Sequence, residues 1–230
     1  MKITEFYVLR EGLSMYTPII TNFTTKDGNN RWKSKSLKIC RDVFLSSGLE
    51  YDNWLFIECN PHVISYCEQP FEIKLPMGNM IRSSIPNMWI LYADGTEEIR
   101  EIKYSNDLQE KRVLTQIEIQ QEWCEKHNLV HRIVTEKELR RNRFLLTNYK
   151  IIISLLKKGN YLNEAIRSDI MDQIKRDKKT SIQQLLNISS GLNIETLLSN
   201  IALLLFIGEI YADLDSNYFG INSEVHLIND

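Results

Sequence analysis

Residues 85–104 read IPNMWILYADGTEEIREIKY, and the fold turns on how this stretch pairs with itself. Asp94-Gly95 favours a tight reversal, so the stretch reads as two strands around a turn, the second ending in Glu101-Ile102-Lys103. Side chains alternate across a strand. Glu101 and Lys103 therefore share one face, while Ile102 points to the core. Loop length decides what joins them. A two-residue turn at Asp94-Gly95 sets Asn87 opposite Ile102, on the wrong side. A three-residue loop, Asp94-Gly95-Thr96, sets Asn87 opposite Lys103 and Trp89 opposite Glu101, and gathers Asn87, Glu101 and Lys103 on one face.

A carboxylate beside an ammonium suits phosphodiester hydrolysis. The carboxylate holds Mg²⁺, and the lysine stabilises charge or orients the attacking water. The same pair also reads as a solvated strand face with a weak ion pair. Glu50 is a third candidate, and it too has two readings. Ser47-Gly48-Leu49-Glu50 fits a capping box in which Glu50 returns to the Ser47 N–H. Its spacing from Trp54 and Ile57 also turns it toward the sheet.

Working outward, the pattern is helical from Ser46 to about Glu58 and stops at Asn60-Pro61. Residues 63–76 read as extended chain bent at Pro70, followed by a turn around Gly78. Residues 107–127 form an amphipathic helix with Leu108, Val113, Leu114, Ile117 and Trp123 toward the core, and 129–135 form a short strand. This order predicts an α/β fold with a mixed sheet flanked by helices. Past residue 143 the pattern is helical again. Two helices and a closing β-hairpin there suggest a winged-helix unit. The expected domains are residues 1–145 and 146–230; the first 30 residues are mixed, with a Gly-Asn-Asn turn at 28–30.

The composition, 43% hydrophobic and 25% charged with net charge −2, is that of an ordinary globular chain. The distribution of charge says more. RWKSKSLKICR, residues 31–41, carries five basic residues and no acid, so Arg31, Lys33, Lys35, Lys38 and Arg41 are candidate contacts to a DNA backbone, or else a charged surface strand or loop. Residues 180–230 carry six carboxylates and no Lys or Arg, which suits protein docking better than phosphate. Four cysteines lie far apart without a C-x-x-C pair, which predicts reduced thiols in a cytoplasmic protein. The cysteines and the four histidines form no zinc pattern. The longest apolar run, residues 197–208, is too short to span a bilayer, and its stripe of Leu197, Leu198, Ile201, Leu204 and Leu205 reads as core. There is no phosphate-binding G-x-x-x-x-G-K-[ST] loop, so any ATP-driven step belongs to a partner.

Taken in order, the motifs resemble the TnsA endonucleases. SGLEYDNWLFIECNPHVISYCEQPF, residues 47–71, is similar to that family's S-x-L-E, apolar helix, (D/N)-P-x-V turn and Q-P. IPNMWILYADG is similar to T-P-D-F-x-V-x-x-x-D-G, and EIREIK to the strand that ends in E-x-K. The resemblance covers roughly residues 46–135. It implies a restriction-endonuclease-like core and a bacterial, Mg²⁺-dependent DNA endonuclease, with Mn²⁺ as a substitute. Such a subunit of a Tn-seven-like transposase cuts the strand at transposon ends that a partner DDE transposase does not transfer. An AAA+ regulator ATPase binds the assembly, for which residues 180–230 are the candidate docking region. The resemblance implies catalytic roles for Glu50, Asn87, Glu101 and Lys103, and a metal site drawn from Glu50, Asn87, Glu101 and Ile102. It departs from the family at Asn87, which stands where the family has its aspartate. A neutral amide offers a hard cation one weaker ligand, so the chain is expected to bind metal poorly and to cut slowly or not at all. A restriction or phage-defence nuclease of the same fold and a non-catalytic DNA-binding scaffold are the alternatives.

Overall fold

The computed structural model describes residues 15–20, 31–158, 162–189 and 191–228, so the turn expected at 28–30 lies outside the described residues. The chain divides into two compact units. Among the described residues, one holds those to Glu58 and from His62 to Arg141; the other holds Cys59–Pro61 and those from Asn142.

In the first unit an antiparallel pair, β1 (Trp32–Lys35) and β2 (Asp42–Leu45), leads into helix α1 (Gly48–Cys59). Strand β3 (Val63–Glu68) and the hairpin of β4 (Ile73–Met77) and β5 (Met80–Ser84) follow. Then come β6 (Met88–Tyr92), β7 (Glu97–Ile102), α2 (Lys111–His127), β8 (Val130–Val134) and the single turn α3 (Glu136–Leu139). The central sheet has the order β3-β6-β7-β8, antiparallel except for the parallel pairing of β7 with β8. Helix α2 makes the crossover that a parallel pair requires.

Both faces of the sheet are covered. Ile102 and Val134 pack with Leu49 of α1 and Leu139 of α3, whereas Cys67, Trp89 and Ile99 pack with Cys124 of α2, backed by Phe71 and Trp123. Every β7 position from Glu98 to Ile102 is therefore buried, as expected of a sheet sandwiched between helices. A mixed sheet flanked by helices fits a restriction-endonuclease-like core.

Two expectations for this unit need correction. The β6–β7 loop does have three residues, but they are Ala93-Asp94-Gly95 rather than Asp94-Gly95-Thr96. The Tyr92 N–H donates to the Thr96 carbonyl at 2.9 Å, Gly95 takes φ +85°, and the Asp94 carboxylate accepts from the Thr96 N–H at 2.9 Å. Trp89 consequently pairs with Ile99, not Glu101. The register has moved by two residues, an even number, so the same side chains stay on the same face. The long helix from 107 is in fact a 3₁₀ turn, Ser105–Gln109, followed by α2. Its buried face is Val113, Ile119, Gln120 and Cys124, and Leu114 is exposed.

The second unit comprises α4 (Arg143–Lys158), α5 (Glu164–Asp177), β9 (Lys179–Ser181), α6 (Ile182–Ile188), α7 (Ile194–Ile207), β10 (Ile210–Ala212) and β11 (Glu224–Leu227). The strands form an antiparallel sheet in the order β10-β11-β9. Strand β9 is too short to show alternation, so nothing local marks its pairing with β11. Ser181 and Gln184 form a reciprocal capping box at the start of α6. Helix α7 begins at Asn193, whose side chain accepts from the Thr196 N–H, and ends at Gly208 in the left-handed region. Leu197, Ile201 and Leu204 of its expected stripe are buried, and so are Ser199, Asn200, Ala202, Leu203 and Phe206. Among the described residues no helix is long and apolar enough to cross a membrane.

Candidate active site

Three segments converge at one end of the β6–β7 pair. Asn87 lies just ahead of β6. Its Oδ1 accepts from the Ile102 N–H at 2.8 Å, and its Nδ2 donates to Glu50 Oε1 over a long 3.5 Å. Lys103, just past β7, places Nζ 2.8 Å from Glu101 Oε1. Glu50, Asn87, Glu101 and Lys103 are thus brought to one locality from α1, β6 and β7. Glu101 is 2% exposed, so the reading of Glu-x-Lys as a solvated strand face does not hold. A buried carboxylate has to be paired and hydrogen-bonded.

The Gln69-Pro70 turn between β3 and β4 ties these segments together. Its Gln69 N–H donates to the Asn87 carbonyl at 3.1 Å, and its side chain donates to Ser46 Oγ at 3.4 Å. Gln69 is buried at φ +43°, a conformation that costs a non-glycine residue about 1 kcal/mol or more and that tertiary packing must hold.

Glu50 combines its two expected roles with one change. Ser47 Oγ accepts from the Glu50 N–H at 3.1 Å, as in a capping box, but Glu50 Oε2 accepts from the Ser46 N–H at 2.8 Å rather than from Ser47. The other oxygen, Oε1, is left toward Asn87. Burial pushes the Glu50 pKa up; the Ser46 N–H opposes this, the Glu101 charge adds to it, and Lys103 opposes it.

Sequence reasoning missed the groups behind Glu101. Gln120, fully buried on α2, donates from Nε2 to Glu101 Oε2 at 2.8 Å and to Ser84 Oγ at 2.9 Å. Its Oε1 lies 3.1 Å from His131 Nε2. The available signal was a carboxamide seven residues beyond Val113, on the apolar face of an amphipathic helix.

The oxygen donors suit a hard cation in kind, but their arrangement does not fit one. Asn87 turns its oxygen to the Ile102 N–H, and its NH₂ faces Glu50. Lys103 and Gln120 occupy one oxygen each of Glu101. Ile102 has only its main-chain carbonyl to offer. No group of three His, Cys, Asp or Glu among the described residues could hold a metal ion.

The basic run is spent largely on structure. Lys38 is buried, with Nζ donating to the Val63 carbonyl at 2.8 Å, and cannot face a phosphate. Its loop wraps the buried Glu58 carboxylate, which accepts from Ser36 Oγ, the Leu37 and Lys38 N–H groups and Tyr66 OH. Arg41 makes a bidentate pair with buried Glu68 at 2.7 and 2.6 Å. Lys33 is exposed and pairs with Asp42 at 2.8 Å, Lys35 is exposed, and Arg31 is half-buried. The expectation of five phosphate contacts is corrected accordingly: the local acids and the core claim Lys38 and Arg41.

Residues 60–136 match the family described as TnsA-like endonuclease N terminal, so that segment is similar to the TnsA-like endonucleases. The match spans Asn87, Glu101, Lys103 and Gln120; Glu50 lies outside it. No curated protein matches the chain.

Proposed function

We propose that this chain is the endonuclease subunit of a Tn-seven-like transposition complex, in a form impaired at Asn87. It hydrolyses phosphodiester bonds at transposon ends on the strand that a partner DDE transposase does not transfer. The observation that carries this reading is the convergence of Asn87, Glu101 and Lys103, on the segment that matches the family, with Glu50 from the preceding helix. In the reaction Lys103 stabilises negative charge on the phosphate, and buried Glu101 keeps that ammonium in place. Mg²⁺, or Mn²⁺ in its stead, is the cofactor the family implies; a carboxylate at position 87 would supply the donor that the amide withholds. The second unit, a helical body with a three-stranded sheet of which two strands follow its last long helix, is proposed to be a winged helix. Its lack of basic residues past Lys179 favours docking to an AAA+ regulator over binding DNA.

The missing carboxylate also favours a second reading, a non-catalytic DNA-binding scaffold in the same complex. Cleavage of labelled transposon-end DNA by the Asn87→Asp chain, with and without the partner transposase, separates these readings. Cutting that needs both the end sequence and the partner supports the proposal. Cutting indifferent to both points to a defence nuclease of the same fold, and DNA binding without cutting points to the scaffold.

A further inference from the structure

Of the Phe, Tyr and Trp side chains described in the first unit, two are exposed, Trp32 at 39% and Tyr104 at 42%. Both flank the corner that holds Lys103. Trp32 ends an aromatic stack that starts in the core. Buried Trp54 meets Tyr51 at 5.6 Å between ring centroids, and Tyr51 meets Trp32 at 4.4 Å, nearly parallel at 17°. Tyr51 follows Glu50 on α1, and Tyr104 follows Lys103. Arg140 lies near both exposed rings. A β-carbon on Gly48, the first residue of α1, would lie 3.9 Å from Trp32 Nε1 and 4.0 Å from Arg140 Nη2. The same guanidinium is 5.9 Å from the centre of the Tyr104 ring. Arg140 keeps its place because its Nε donates to the carboxylate of buried Asp52 at 2.7 Å.

An exposed indole or phenol ring leaves apolar area in water that a flat partner can cover. The surrounding charge selects the partner. Lys137 and Arg141, on either side of Arg140 in the chain, are exposed and form no ion pair among the described residues. The neighbouring acids are engaged. Arg140 takes Asp52, Lys103 takes Glu101 and Arg132 takes Glu138. Glu50 accepts from the Ser46 N–H, and Glu136 from the Ser105 N–H and hydroxyl. Open rings beside uncompensated cations fit a base and its phosphate. Bases within a duplex are already stacked on one another, so the partner is a nucleotide that has left the stack.

We propose that Trp32, Tyr104 and Arg140 form a platform for single-stranded DNA, on which an unpaired nucleotide of the strand to be cut stacks beside Lys103. The inference rests on the endonuclease reading for the identity of that strand, and adds residues that hold it without a metal. Loss of one base–aromatic stack weakens single-strand binding by about fivefold or more.

The test uses the full chain with Asn87 in EDTA at about 50 mM salt, so that neither metal binding nor cleavage enters. The probes are a short labelled oligothymidylate and a blunt duplex, read by anisotropy and by tryptophan emission. Oligothymidylate should quench the emission of the parent chain. Trp32→Leu should remove that quench, because Trp54 and Trp89 are buried, and should weaken binding about fivefold or more. Tyr104→Leu should weaken binding by a similar factor and keep the quench at saturation. Trp32→Phe and Tyr104→Phe keep a ring and should stay within about threefold of the parent. Duplex binding should be unchanged in the leucine variants. Neither of them strands a buried polar group, and thermal melting checks that each is folded. Should Trp32→Leu fail to fold, the two Tyr104 variants carry the test. The proposal is overturned if the parent does not bind oligothymidylate, if the leucine variants bind it like the parent, or if they lose single strand and duplex alike. Cutting by the Asn87→Asp chain would leave the endonuclease reading standing in each of those cases. An Asn87→Asp chain that holds oligothymidylate on these rings and never cuts transposon-end DNA would refute that reading and leave the platform to a scaffold.

Discussion

Asn87→Asp should destabilise the metal-free protein and make it responsive to a cation. The substitution replaces the amide NH₂, 3.5 Å from Glu50 Oε1, with a carboxylate oxygen. Two unit charges at that separation repel by roughly 5 kcal/mol at an effective dielectric of about 20. The Lys103 ammonium, solvent and a stronger bond from the Ile102 N–H to a charged acceptor offset part of this, leaving a net loss of about 2 kcal/mol. For a unit of this size the loss lowers Tm by roughly 7 °C. Mn²⁺ at about 100 times its Kd should return some 2.7 kcal/mol, enough to cancel the loss. Thermal melting at pH 7.5 in EDTA and in Mn²⁺, for both chains, measures each number. The chain with Asn87 should show the same Tm in both buffers. Equal EDTA melting temperatures for the two chains, or an Mn²⁺ shift in the Asn87 chain as large as in the variant, would refute the electrostatic account of this site.

Two further outcomes follow from the first unit. Burial pushes the Cys67 and Cys124 thiols up to about 12, Cys59 is buried and Cys40 is exposed. At pH 8 an aromatic disulfide reagent should therefore titrate one thiol quickly in the native protein, and all four of the chain's cysteines in denaturant. Arg41→Ala strands the Glu68 carboxylate, which is 1% exposed, and should cost about 3 kcal/mol in urea denaturation. A loss of DNA affinity in that variant without a loss of stability would return Arg41 to the DNA-contact set.

Much of the geometry of the candidate corner was legible because it rests on short-range rules. Alternation along β7 places Glu101 and Lys103 together whatever the turn does. The turn could slip by two residues without moving Asn87 to the other face, so the face was right while the pairing was wrong. Glu50 was legible as a cap whose carboxylate could also face the sheet, since an S-x-x-E sequence sets only the first turn of a helix. What closes around it, the Ser46 N–H and the Gln69 turn, depends on a strand twenty residues away. The basic run misled because the sequence shows five positive charges but not Glu68 and the Val63 carbonyl, which β3 brings to Arg41 and Lys38. Gln120 was hidden for the same reason. Its partners come from β5, β7 and β8, and nothing local marks a glutamine on an apolar helix face as a hydrogen-bond hub.

The most direct test of the central claim is strand cleavage of labelled transposon-end DNA in Mn²⁺, comparing the chain carrying Asn87 with its Asn87→Asp variant in the presence of the partner transposase. The account predicts cutting of the non-transferred strand by the variant and little or none by the parent. Efficient metal-dependent cutting by the parent, or no cutting by a folded variant that still binds the DNA, would contradict it.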